Sequence, residues 1–198
     1  MTLRLISLAD CAAQPWRNSG GRARELLAWP SADNWVLRIS LADVERDGPF
    51  SAFPGVERWF AVVEGAGVRL NFSGRQLEVT PATPPLRFAG EAAPGCTLID
   101  GPTRDLNFMV QRDRGRGWMR RARPGSAPAQ GPVMGLYAAD ALECRFGEGA
   151  SLDVPAGTLV WPGEAQIGGT LRGTPGARAW WIGFEPEATA RPRPSGSY

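Results

Sequence analysis

The chain has 198 residues, with 22 basic and 20 acidic side chains and a formal charge of +2, and every basic residue is an arginine because neither lysine nor histidine occurs. The missing histidine removes the commonest transition-metal ligand and the usual general base near neutral pH, and the missing lysine removes Schiff-base chemistry. Ser-His-Asp and Cys-His nucleophile pairs and the two-His-one-carboxylate iron site are excluded with them, so any chemistry rests on Arg, Asp, Glu, Ser, Tyr, Cys or the backbone.

The 25 Gly and 18 Pro exceed a fifth of the chain, a density that breaks long helices, while 43% hydrophobic against 21% charged residues still supplies a core. The charge balance lacks the footprint of a nucleic-acid binder over the whole chain. Cys11, Cys96 and Cys144 are far apart and form no C-x-x-C pair, which argues against a disulfide framework or zinc knuckle and for a reducing compartment. No run approaches the ~20 apolar residues of a membrane span. A cytoplasmic protein with no membrane partner is expected.

Short β-type runs closed by Gly, Pro or Asp recur along the chain. The first set comprises Leu3 to Leu8, Trp35 to Ala42, Trp59 to Glu64, Val68 to Phe72, Gln76 to Thr80, Leu86 to Phe88, Thr97 to Asp100 and Asp105 to Gln111. The second comprises Val133 to Tyr137, Leu142 to Phe146, Ser151 to Val154, Thr158 to Trp161, Gly169 to Arg172 and Ala179 to Phe184. No segment carries an amphipathic helix over three turns.

The second set echoes the first. Val62-Val63, Leu77-Glu78-Val79-Thr80-Pro81 and Phe88-Ala89-Gly90-Glu91 reappear as Leu136-Tyr137, Leu152-Asp153-Val154-Pro155 and Trp161-Pro162-Gly163-Glu164, with Leu152 standing 75 residues after Leu77. The echo reads as one antiparallel unit made twice, the alternative being the chance likeness of Gly-rich strands. The expected organisation is a first unit over 1–111, a linker and edge strand over 112–131, a second unit over 132–186 and a disordered Pro/Ser/Gly-rich tail over 187–198. Arginines interleaved with Trp118 between Arg112 and Arg123 suit phosphate and base stacking, but the near-neutral chain favours a solvated edge, so nucleic acid is not an expected partner.

Three clusters combine glycines, aromatics and polar groups beyond what turns require. In Pro15-Trp16-Arg17-Asn18-Ser19-Gly20-Gly21 the glycines allow close backbone approach, so exposed amides can face an anion with Trp16 and Asn18 as specific contacts; the alternative is a tight turn. From Trp35 to Arg58, period two places Leu37, Ile39 and Leu41 on one strand face and Arg38, Ser40 and Ala42 on the other. That second face meets either water or a cavity, where Arg38 could fork onto a carboxylate. In Thr103 to Gln111 the same alternation separates Leu106, Phe108 and Val110 from Asp105, Asn107 and Met109, a face that lines a pocket or a solvated edge.

Together these clusters resemble the HutD/Ves family, small bacterial bicupins associated with histidine utilisation. The resemblance rests on P-W-x-N-x-G-G with R-E, then R-x-S-x-A, then G-P-F-S-x-F-P-G-x-x-R over Gly48 to Arg58, then D-x-N-x-M over Asp105 to Met109. The sequence departs from the family at Ser19, Ala23, Leu106 and Gln111, which bears on the ligand more than on the fold.

The resemblance implies an all-β bicupin, two small antiparallel β-barrel (jelly-roll) units packed together, with the pocket in the N-terminal unit. Its lining would be Trp16, Asn18, Arg38, Ser40, Phe50, Ser51, Phe53, Arg58, Asp105, Asn107 and Met109. The metal centre of many cupins does not carry over without histidine, so neither metal nor cofactor is expected. The implied function is binding of a small acidic metabolite of histidine breakdown, formylated glutamate or urocanate, to modulate that pathway, with Arg38 or Arg58 as anion clamp. The alternative is a metal-independent isomerase or hydrolase of a small carboxylate, using Asp105 as base and Ser40 or Ser51 as hydroxyl partner. A homodimer is compatible with either. The plain alternative for Arg58 is a structural ion pair with Glu57 or Glu64.

Overall fold

A computed structural model of the chain describes residues 3–16, 20–123, 133–146, 151–163, 169–172 and 176–187. In chain order its strands are β1 (Arg4–Ser7), β2 (Ala13–Pro15), β3 (Gly21–Trp29), β4 (Leu37–Val44), β5 (Gly48–Pro49), β6 (Val56–Glu64), β7 (Val68–Phe72), β8 (Arg75–Val79) and β9 (Leu86–Ala89). They continue as β10 (Gly95–Leu98), β11 (Thr103–Gln111), β12 (Gly115–Arg121), β13 (Val133–Ala138), β14 (Leu142–Phe146), β15 (Ser151–Val154), β16 (Thr158–Trp161), β17 (Gly169–Arg172) and β18 (Ala179–Pro186). Single 3₁₀ turns at Leu8–Asp10 and Gly90–Ala92 are the only helical segments among the described residues.

Strand β3 is absent from the sequence expectation. Its apolar pair Leu26-Leu27 breaks the alternation because the register against β4 shifts between Glu25 and Leu27, which turns two successive side chains inward. Strand β12 lies within the stretch expected as linker and edge, and it ends a sheet by pairing along its length with β18. Strand β1, first in the chain, pairs with β16 of the second set.

The strands form antiparallel sheets in the orders β2-β3-β4-β11-β6-β9 and β5-β10-β7-β8 in the first half. The second half gives β1-β16-β13-β18-β12 and β15-β14-β17. The sequence reading anticipates two barrels, whereas the described residues form open sheets and none closes on itself. The cores are closed by face-to-face packing of side chains instead of by a continuous hydrogen-bonded ring. The fold is all-β.

Three apolar clusters fix the arrangement. A shared core lies between the six-stranded and five-stranded sheets, where Leu37, Ile39, Leu106, Phe108 and Val110 meet Tyr137, Leu159, Trp161, Trp180 and Ile182. Close approach of β12 to this core requires Gly117, since a Cβ there would lie 2.6 Å from Val110 and 2.7 Å from Phe108. The first half has its own interior around Val44, Phe50, Phe60, Val62, Leu70 and Phe88. The second half has another around Leu136, Cys144, Val160, Leu171 and Trp181. The internal echo follows this plan in part. Val62 and Leu136 face their own interiors and Val63 and Tyr137 the shared core, but Phe88 faces inward whereas Trp161 faces the shared core. A further tie between the halves is Arg178, which pairs with Asp140 and donates to the Val63 carbonyl at 2.8 Å.

Candidate functional site

Because β11 alternates, the face opposite the shared core turns into the first half's interior, and its neighbours stack polar groups there in layers. Cα pairing across β4, β11 and β6 aligns Arg38, Met109 and Arg58 in one layer, Ser40, Asn107 and Phe60 in the next, and Ala42, Asp105 and Val62 in a third. Strand β9 adds Phe88 opposite Arg58. The polar members of these layers are buried: Ser40 is 8% exposed, Arg58 5%, Asn107 5% and Asp105 0%.

Arg58 is the most unusual of them. Its Nη2 donates to Asn107 Oδ1 at 2.8 Å and its Nη1 to the Ser51 carbonyl at 3.4 Å, while Nε has no acceptor. Three rings enclose the guanidinium, with Phe50 and Phe88 centroids at 5.2 Å and Phe53 at 5.5 Å. Burial pushes its pKa down to about 10, which leaves it cationic at neutral pH. Neither flanking carboxylate neutralises it, because Glu57 pairs with Arg87 and Glu64 with Arg104. The ion pair offered as the plain alternative for Arg58 is therefore not made. A cation held in an apolar cage without a counter-ion is costly unless an anion joins it.

Asp105 is the second buried ionisable group. Thr103 Oγ1 donates to its Oδ2 at 2.9 Å and its Oδ1 has no partner. Burial raises its pKa to about 8, opposed by the Thr103 hydrogen bond and assisted by the charge of Asp43, so the carboxyl is protonated at neutral pH.

The remaining expected residues divide. Arg38 sits in the same layer as Arg58 but at the rim, 28% exposed, with its Nε 2.6 Å from Glu25 Oε2 on β3, so its charge is already met. Trp16 lies edge-on to Phe50 at 6.5 Å and extends the aromatic wall. Ser40 and Met109 line the buried face, Phe53 closes over Arg58, and Ser51 contributes its carbonyl. Asn18 lies outside the described residues. Sequence reasoning missed Phe88, Glu25 and Thr103. Thr103-x-Asp105 was readable as a same-face pair, and Leu86-x-Phe88 likewise, whereas Glu25 reaches Arg38 only through strand pairing.

Two open depressions lie on the first half. One of about 610 Å³ is bounded by Trp35, Phe53, Gly55 and Arg112. Another of about 560 Å³ lies among Asp43, Glu64, Thr103 and Arg104. The expected cavity among Arg38, Arg58 and Asn107 coincides with neither. The chemistry on offer is a caged cation, an oriented amide and a neutral carboxyl against aromatic walls.

A sequence model of the HutD family matches residues 8–173. An uncharacterised 21.2 kDa protein from the hutC 3′ region of Pseudomonas putida is 33% identical over 116 residues, 58% of this chain and 61% of its own length. Protein Ves of Citrobacter koseri is 37% identical over 109 residues, 54% of this chain and 57% of its own. The matched region thus spans about three fifths of these curated relatives. Among solved structures, HutD from Pseudomonas fluorescens SBW25 superimposes with a TM-score of 0.77 at 24% identity, covering 94% of this chain and 100% of its own. With more than four fifths of its residues inside the family match, the chain belongs to the HutD/Ves family.

Proposed function

We propose that this chain is a metal-free binding protein for a small acidic metabolite of histidine breakdown, of the formylated glutamate or urocanate type, and that binding modulates that pathway in the cytoplasm. The two halves act on this reading as two cupin units, with the ligand in the first. The observation that carries it is the buried guanidinium of Arg58, caged by three phenylalanines with its Nε unpartnered and, among the described residues, no carboxylate paired with it. A ligand carboxylate would supply the missing counter-ion and accept from Nε, as arginine forks do. The name of one curated relative, which lies in a hutC 3′ region, agrees in direction.

Calorimetric titration of the wild type and of Arg58→Met with urocanate and with N-formylglutamate tests the assignment. Loss of a hydrogen-bonded charge contact weakens binding by about 1.5–3 kcal/mol, on the order of ten- to a hundredfold. Unchanged affinity in Arg58→Met removes the basis of the proposal. Arg38→Ala is expected to weaken binding less, because Glu25 already holds that guanidinium. A second reading, a metal-independent hydrolase or isomerase, is favoured by Asp105, whose carboxyl titrates near 8 and could exchange a proton with a substrate. Turnover of either acid by the wild type and its loss in Asp105→Asn would establish it.

A further inference from the structure

Arg58 and Asp105 are the two ends of one buried row. The guanidinium reaches Asn107 on β11, and Asp105 is the next inward-facing residue of that strand, its Cα roughly 7 Å from that of Asn107 at two residues' rise. Both ends have a polar atom unused by the protein, Nε of Arg58 and Oδ1 of Asp105, although both side chains are at least nine-tenths buried. Native interiors leave few such atoms without a purpose. The two ends differ in charge demand. Arg58 lacks an anion, whereas an anion brought beside Asp105 would meet a second carboxyl in an apolar setting.

We propose that Asp105 is the specificity-determining residue of this site: its free Oδ1 takes the uncharged, hydrogen-bonding end of a ligand whose single carboxylate lies on Arg58. The ligand class is a monocarboxylate that also carries an amide, hydroxyl or ring nitrogen, and a dicarboxylate of the same length is rejected. The inference rests on the carboxylate reading of Arg58 and sharpens it, favouring a urocanate-type acid over formylated glutamate, which carries two carboxylates. It also sets a pH response. Beside Thr103 on its own strand, the titratable groups near Asp105 are Cys96 on β10 and Asp43, which stands on the opposite face of β4 against Arg104. Burial pushes the Cys96 thiol up to about 12, and burial opposes but does not outweigh the hydrogen bonds from Arg104 and Arg24 that hold Asp43 below its usual range. Of these groups Asp105 alone changes charge near pH 8, and ionised it would repel the ligand and lose its donor proton.

The matched probes are glutaramate and glutarate, equal in length and different in the charge of one end, titrated into the 198-residue chain at pH 6.5 and pH 9. The wild type is expected to bind glutaramate at least about tenfold more tightly than glutarate at pH 6.5, and to lose roughly tenfold of that affinity at pH 9, one unit above the titration of Asp105. Asp105→Asn should abolish the pH response. Asp105→Leu should erase the preference, and if it does not fold the pH profile of Asp105→Asn decides alone. Equal affinity for both probes, or the same pH response in Asp105→Asn, overturns the inference while leaving Arg58 in place provided Arg58→Met weakens both. If Arg58→Met binds both probes like the wild type, or if the wild type binds neither, the carboxylate reading itself falls and this inference with it.

Discussion

The interiors of the two halves are built on equivalent strands and filled in opposite ways. In the second half β18 lies between β12 and β13, as β11 lies between β4 and β6 in the first. Each sends one face to the shared core, Trp180, Ile182 and Phe184 from β18 and Leu106, Phe108 and Val110 from β11. The opposite faces diverge. From β18 come Ala179, Trp181 and Gly183, and Trp118 covers Gly183 so closely that a Cβ there would fall 2.0 Å from the indole. From β11 come Asp105, Asn107 and Met109, with Arg58 beside them. One interior is plugged by tryptophan and is structural. The other holds a buried cation and a buried carboxyl.

That contrast predicts separable effects. Trp181→Ala removes a side chain only 2% exposed and should lower stability by about 3–5 kcal/mol in denaturant unfolding while leaving ligand affinity per folded molecule unchanged. A loss of affinity with no loss of stability would break the division between the halves.

The next effect is one of pH. Asp105 in the folded chain titrates near 8, well above its unfolded value, so between about pH 4 and pH 8 the folded state keeps a proton that the unfolded state has released. The stability this group supplies is full below that window and is lost as pH rises through it. Asp43 and Asp140 act in the opposite sense, since arginine contacts hold both low and their contribution is lost only as pH falls through those depressed values. Asp105→Asn should therefore flatten the decline in unfolding free energy between pH 5 and pH 8 and leave the acid limb intact.

Arg58→Met should change stability by no more than about 1 kcal/mol, because an unneutralised buried cation contributes little net stability and its apolar replacement fits the phenylalanine cage. Its large effect belongs to binding. Smallest of all is Arg87→Ala, which removes an ion pair from an arginine 62% exposed and should cost under about 0.5 kcal/mol by the same unfolding measurement.

Much of the inward face was legible in the sequence, because period two fixes which residues of one strand share a side. The separation of Asp105, Asn107 and Met109 from Leu106, Phe108 and Val110 needed nothing else. Burial of that face instead of exposure was not legible, since an edge strand carries the same pattern. Nor was the choice between the two arginines. Arg38 and Arg58 look alike in sequence, and only pairing of β3 with β4 brings Glu25 to the former, while pairing of β9 with β6 brings Phe88 to the latter. The bulge in β3 hid that strand altogether.

The central claim is that Arg58, alone in its phenylalanine cage, waits for a carboxylate. The most direct test is the ¹⁵N–¹H correlation spectrum of the arginine Nε–H groups, with the Arg58 resonance assigned by its absence in Arg58→Met. Addition of urocanate should move that resonance, whose proton has no acceptor in the protein, and leave Arg24, Arg104 and Arg178 in their ion pairs unmoved. A spectrum in which Arg58 stays fixed while binding is saturated, with the shift falling on other arginines, would contradict the account.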